Sequence, residues 1–192
     1  MKRALVGVNG AEIKASGSEP RVKTSGAHVR ISCMTLSASF PDTIACSREL
    51  NMKRNASAVW SGGLKEGTGT ISTASGVLHE ARYGFQSRFA DGPGTNPEEL
   101  LGAAHAGCYT MALALGLELA GHAATHIETK AVVTLDKDGD GFSITTVDLT
   151  CRAKVDGVDA ATFDKIAKAT KEGCPVSKVL KATINLDAQL AN

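Results

Sequence analysis

None of the five cysteines in this 192-residue chain stands in a CxxC or CxxH spacing, and their number is odd. That argues against a disulfide-stapled scaffold and against a structural zinc site. Net charge is nearly absent too. The 21 Lys and Arg face 20 Asp and Glu, a formal +1, so nothing electrostatic draws the chain to nucleic acid or to an anionic membrane. Aromatic residues are only 4% of the sequence. The opening residues lack an apolar run of signal-peptide length, and their acidic residues weaken a transit-peptide reading. No nucleotide loop or flavin motif is visible, so a bound cofactor is not expected.

What is present is unevenly spread. Residues 1–51 hold seven Lys and Arg against four Asp and Glu, while residues 52–192 hold 14 against 16. The first segment is rich in Ser and Gly (GSEPRVKTSGAH) and has no helical or alternating period. It reads as a disordered N-terminal extension or the product of an upstream start. At Met52 a fresh opening, MKRNASAVWSGG, begins the one folded domain expected over 52–192. Leu100 to Leu117 is 18 residues without a formal charge, but its His105, Gly102, Gly107, Cys108, Tyr109 and Thr110 make it too polar for a bilayer span. A central helix of a protein core is the better reading.

Within 52–192, SAVWSG and GTGTIST read as strands. After a turn at Ser75-Gly76, VLHEARYGFQSRF reads as a third, with Tyr83, Phe85 and Ser87 on one face and Arg88 on the other. Asn96 then has the chemistry of an N-cap, Pro97 suits the first helical position, and Glu98 and Glu99 favour the positive end of the dipole. The helix should run from about Pro97 to Ala120, closed by Gly121. HIETKAVVTLD and FSITTVDLTCRAKV form a hairpin through KDGDG, which reads as a turn rather than a calcium loop. Asp159 caps a second helix ending at Gly173, Pro175 opens a short third, and ATINLDAQL closes as a strand. This order implies an α+β fold with helices on antiparallel sheets.

Cys33 and Cys46 fall in the extension, and Cys151 sits in an alternating strand as a packing thiol. Cys108 lies mid-helix in HAGCYTM, where buried packing is the simplest account. Cys174 lies between a helix-ending Gly and a helix-opening Pro, where free N–H groups favour thiolate, so inert and reactive readings balance. His105 precedes Cys108 by three residues on one helical face. That spacing suits a Cys–His nucleophile pair of a hydrolase, although a satisfied core histidine explains it more simply. A metal site from His105, Cys108 and Cys174 lacks a fourth ligand.

YGFQSRF, GTNPEELLGAAHAGCYTMALAL and EGCPVSKVLKATINLDAQL together resemble the OsmC/Ohr family of thiol-dependent peroxidases, in particular its OsmC branch. The resemblance runs from about Ala56 to Leu190, with a Cys ten residues after the first Glu of NPEEL and GCPVS 66 residues beyond it. It implies sheets packed around a long central helix that carries the reactive cysteine, in an intertwined homodimer. It also implies reduction of organic hydroperoxides and hydrogen peroxide, with Cys108 as peroxidatic thiol, Cys174 as resolving thiol, and Arg88 and Glu98 as the activating pair. Regeneration by an external dithiol of lipoyl type and a cytoplasmic location come with the resemblance. One departure stands out: Ala106-Gly107-Cys108-Tyr109 replaces a usual Ala-Ala-Cys-Phe, adding a hydroxyl to an apolar surround.

Chemistry accounts for the residue types. A mid-helix thiol in an apolar core has a raised pKa, and a neighbouring guanidinium reverses that. A carboxylate such as Glu98 would hold the guanidinium. Glu98 and Cys108 are ten residues apart on one helix, about 15 Å along its axis. Either the clamp forms only in some states, or it serves the thiol of a second chain.

Overall fold

A computed structural model describes residues 52–191. The expectations for 1–51, Cys33 and Cys46 included, lie outside the described residues. Strands β1 (Ala56–Ser61), β2 (Thr68–Thr73) and β3 (Ala81–Tyr83) form an antiparallel sheet in that order. Gly69 in β2 lies where the rings of Trp60 and Tyr83 cross the strand, 5.5 Å apart between centroids, and a Cβ there would collide with both. All six residues of β1 are exposed.

The third strand ends sooner than its alternation suggests. Residues Phe85–Phe89 form a one-turn helix, α1, not a continuation of β3. The cause is Ser87, whose Oγ accepts from the Gly84 N–H at 3.0 Å and donates to the Thr95 carbonyl at 2.8 Å. Those local bonds compete with a strand ladder and turn the chain. Arg88 is thereby carried off the sheet toward the next helix. Its neighbour Phe89 stacks between Phe85 and Phe142, with centroid separations of 5.0 and 5.3 Å.

Helix α2 spans Pro97–Leu119, capped by Asn96, whose side chain accepts from the Glu99 N–H at 2.8 Å. It ends as Gly121 takes φ +86, a left-handed conformation that glycine adopts without strain. The hairpin of β4 (Ala124–Asp138) and β5 (Gly141–Val155) is present, with 15 residues in each strand. Helix α3 (Ala160–Gly173) is capped by Asp159, and α4 (Pro175–Val179) follows at once. Strand β6 (Thr183–Leu190) pairs with β5 in parallel, so the second sheet, ordered β4-β5-β6, is mixed rather than antiparallel throughout. A parallel neighbour needs a crossover connection, and α3 with α4 supplies it. The core gathers Tyr109, Leu113 and Leu117 of α2, alternate residues Val147 to Ala153 of β5, and Phe163 and Ala167 of α3. Burying each large apolar side chain of this set contributes about 1.5–3 kcal/mol.

Candidate active site

The core places one thiol at its rim and another just beneath. Cys108 is in the middle of α2 and half-buried, while Cys174 is fully buried where α3 hands over to α4. Their sulfurs are 3.2 Å apart, 66 residues apart in sequence, and both thiols are free. A disulfide needs the sulfurs about 1.2 Å closer, a movement within reach of side-chain rotation.

The two thiols differ electrostatically. Burial pushes Cys108 up from its ordinary range, the backbone of Val176 offsets part of this, and Cys174 adds to the rise. Burial also pushes Cys174 up. There the Ser177 backbone N–H, the Cys108 thiol, the Ser177 hydroxyl and the Val176 backbone outweigh it and hold the thiol low. The Cys174 side chain makes no capping hydrogen bond to α4; it hydrogen-bonds the Cys108 sulfur.

Arg88 and Glu98 meet elsewhere. Arg88 Nη2 donates to Glu98 Oε1 at 2.7 Å, and Nε lies 3.2 Å from both carboxylate oxygens. Asn96 sets this clamp, because the residue that caps α2 also donates from Nδ2 to the Ser87 carbonyl at 3.0 Å. One side chain thus fixes α1, which carries Arg88, to the first turn of α2, which carries Glu98. The guanidinium stands in an apolar pocket of about 290 Å³ lined by Trp60, Leu64, Tyr83, Phe85, Phe89 and Pro97. Within one chain the four expected residues therefore form two pairs, about 15 Å apart along α2. The clamp is closed, and it does not reach the thiol of its own chain.

His105 is fully buried, with Nε2 2.8 Å from the Ser177 hydroxyl rather than engaged with Cys108. A Cys108–His105 hydrolase loses its base by that geometry. Tyr109 is also fully buried, and its hydroxyl donates to the Ala167 carbonyl in α3 at 3.3 Å. The hydroxyl that replaces a usual phenylalanine edge therefore faces α3 and adds nothing polar beside Cys108. Cys151 is buried, and burial raises its pKa, as expected of a packing thiol. Sequence reasoning missed Ser177 and the second role of Asn96. The Ser in CPVS is the one local signal for the first, and the second had none.

A long thiol-bearing helix on a mixed sheet, facing a second thiol at a helix junction, is the architecture of a recognisable class. The family model described as OsmC-like protein matches residues 90–189. The chain is 52% identical over 141 residues to Peroxiredoxin OsmC of Escherichia coli (strain K12), covering 73% of this chain and 99% of that protein. It is 33% identical to an organic hydroperoxide resistance protein-like protein of Staphylococcus aureus (strain USA300), covering 51% of this chain and 70% of that one. The organic hydroperoxide resistance protein OhrB of Bacillus subtilis superimposes with a TM-score of 0.56 at 28% identity, covering 70% of this chain and 98% of that one. An OsmC-like protein of unknown function from Vibrio cholerae shares the fold, with a TM-score of 0.60 at 16% identity over 72% of this chain and 99% of that one. The chain belongs to the OsmC/Ohr family.

Proposed function

We propose that this protein is a two-cysteine peroxidase that reduces organic hydroperoxides and hydrogen peroxide in a reducing cytoplasm. The observation that carries the reading is the 3.2 Å approach of a half-buried thiol, Cys108, to a fully buried one, Cys174. The accessible thiol meets peroxide. Its thiolate attacks the O–O bond, the alcohol or water leaves, and Cys108 becomes a sulfenic acid. Cys174 condenses with that acid to form a disulfide and release water. An external dithiol, lipoyl in type, then reduces the disulfide.

The thiolate needs a cation, and none of the described residues of its own chain brings one to it. A homodimer supplies it if the Arg88–Glu98 clamp of one chain lies over Cys108 of the other. Exposed apolar side chains support that assembly: Met111, Leu115 and Leu119 on one face of α2, with Val59, Trp60 and Leu64 at the first sheet. The apolar pocket around Arg88 would then receive the organic part of the hydroperoxide while the guanidinium binds its oxygens. One equivalent of cumene hydroperoxide added to the full-length protein, followed by disulfide mapping, tests the reading. A Cys108–Cys174 link is expected; two intact thiols would refute it.

A further inference from the structure

We propose that the dithiol which regenerates the protein attacks the Cys108 sulfur of the Cys108–Cys174 disulfide and expels Cys174, a step that rests on the two-cysteine reading above. The Cys174 side is closed. That residue is 0% exposed and belongs to the core cluster that includes Tyr109, Leu113 and Phe163. Cys108 is half-buried on α2, and its neighbours there are small. Ala104, one turn before it, and Gly107, next to it, are both exposed. A Cβ added at Gly107 would meet nothing within 4 Å, so the helix surface beside the sulfur is open.

Thiol exchange turns this difference in burial into a difference in reaction. The incoming thiolate, the sulfur it attacks and the sulfur that leaves stand in one line. Attack on Cys174 has to come from the side remote from Cys108. With the two sulfurs 3.2 Å apart and Cys174 wholly enclosed, that line starts inside the core. Attack on Cys108 runs from the opposite direction, away from the enclosed thiol. A second copy of the chain adds cover and does not uncover Cys174, and the hydroperoxide that meets Cys108 needs the same access. The leaving group agrees with the approach. Burial pushes Cys174 up, but the Ser177 backbone and the Cys108 thiol outweigh it and hold Cys174 low, and a thiol of lower pKa leaves faster.

The first thiolate of the reductant bonds to the Cys108 sulfur as the internal S–S bond breaks, and the bonding pair leaves on Cys174, which takes up a proton. The second thiolate of the reductant then attacks its own sulfur in the mixed disulfide. The reductant closes to a cyclic disulfide, and Cys108 is released as thiolate, so two electrons pass from the dithiol to the protein. In the reduced protein the sulfurs stand 3.2 Å apart, which places Cys174 to attack back and expel the reductant before that second step. A tethered second thiol competes with this return as an intramolecular group, whereas a monothiol has to arrive again from solution.

Full-length protein oxidised with one equivalent of cumene hydroperoxide provides the test, with 2-mercaptoethanol as the probe, raised until the disulfide opens. Samples are quenched in acid at successive times, free thiols are capped with N-ethylmaleimide, and peptide masses show which cysteine carries the mercaptoethanol. At the earliest times adduct on Cys108 with a capped Cys174 should exceed the reverse arrangement by at least about tenfold. Adduct first on Cys174, or equally on both, would overturn the step. A protein in which the hydroperoxide forms no Cys108–Cys174 disulfide would instead remove the two-cysteine reading, and this step with it.

Discussion

The guanidinium of Arg88 holds Glu98 with Nη2 2.7 Å from Oε1, at the opposite end of half a helix from the thiol it would activate. The Glu98 side chain is only 12% exposed and that of Arg88 is 37% exposed, so the pair is shielded enough to be ordered and open enough to meet another surface. Meanwhile Cys108 has a raised pKa, the wrong direction for a nucleophile. Among the described residues, the clamp is thus a cation without a thiol and Cys108 a thiol without a cation. In the proposed homodimer a second copy would resolve both deficits at once.

Mixed dimers test that assembly directly. When Cys108→Ser and Glu98→Ala chains are co-expressed, one site in each heterodimer combines an intact Cys108 with an intact clamp from the other chain. Activity should return to about half of wild type, because one of two sites is whole. Verified heterodimers as inactive as the two parents would count against assembly in trans.

The clamp should matter through the thiol pKa. Arg88→Lys keeps the charge but loses the planar fork that grips Glu98, so the cation is no longer held in one place. The second-order rate of Cys108 with hydroperoxide should fall by about 10- to 100-fold. Stopped-flow kinetics on the first turnover would measure it, with little change expected in the rate of disulfide closure.

Much of this architecture was legible from local chemistry. Asn96 and Asp159 announce α2 and α3 because a cap needs only neighbouring residues, and both accept the helix N–H groups expected of them. The alternation in β5 likewise marks its buried face. Interactions between distant segments were less accessible. The direction of β6 depends on the crossover and leaves no mark on the strand's own pattern, while the turn at Phe85–Phe89 depends on Ser87 reaching the Thr95 carbonyl eight residues on. At the site, the family resemblance pointed to both thiols and the clamp, but the His105–Ser177 bond spans 72 residues and no spacing rule predicts it.

Asn96→Ala should have two effects. Loss of the cap lowers stability by about 1 kcal/mol, read as a shift in denaturant midpoint. Loss of the tether to the Ser87 carbonyl frees α1 and loosens Arg88, so peroxide reactivity should fall as well. Asn96→Asp keeps the capping oxygen but not the Nδ2 donor. It should recover the stability and leave the kinetic defect, a split that a general folding defect would not produce.

Asp159 gives the fold a pH dependence of known sign. The backbone N–H and hydroxyl of Thr162, with the Ala161 N–H, hold its carboxyl below the ordinary range. A depressed folded pKa contributes stability above the unfolded value of about 3.9, and that contribution is lost as pH falls through the folded value. Asp159→Asn retains a capping oxygen but does not titrate. The stability difference between wild type and this variant should be constant near neutral pH and shift against wild type on acidification, as measured by urea unfolding at several pH values. An unchanged difference down to strongly acidic pH would show that the cap does not titrate as its hydrogen bonds require.

Tyr109→Phe separates neighbourhood in sequence from neighbourhood in space. The residue follows Cys108 directly, yet its hydroxyl reaches the Ala167 carbonyl at 3.3 Å on the α3 side of the core. That bond is long and neutral, so its removal should cost about 1 kcal/mol or less, and the ring keeps its packing against the core. The substitution leaves the Ala167 carbonyl unpaired by this donor but touches none of the groups that hold the Cys174 thiol low. Peroxide rates with large and small hydroperoxides should both match wild type. A change in preference between cumene hydroperoxide and hydrogen peroxide would mean that the Tyr109 hydroxyl turns toward the substrate during turnover, against the position it holds here.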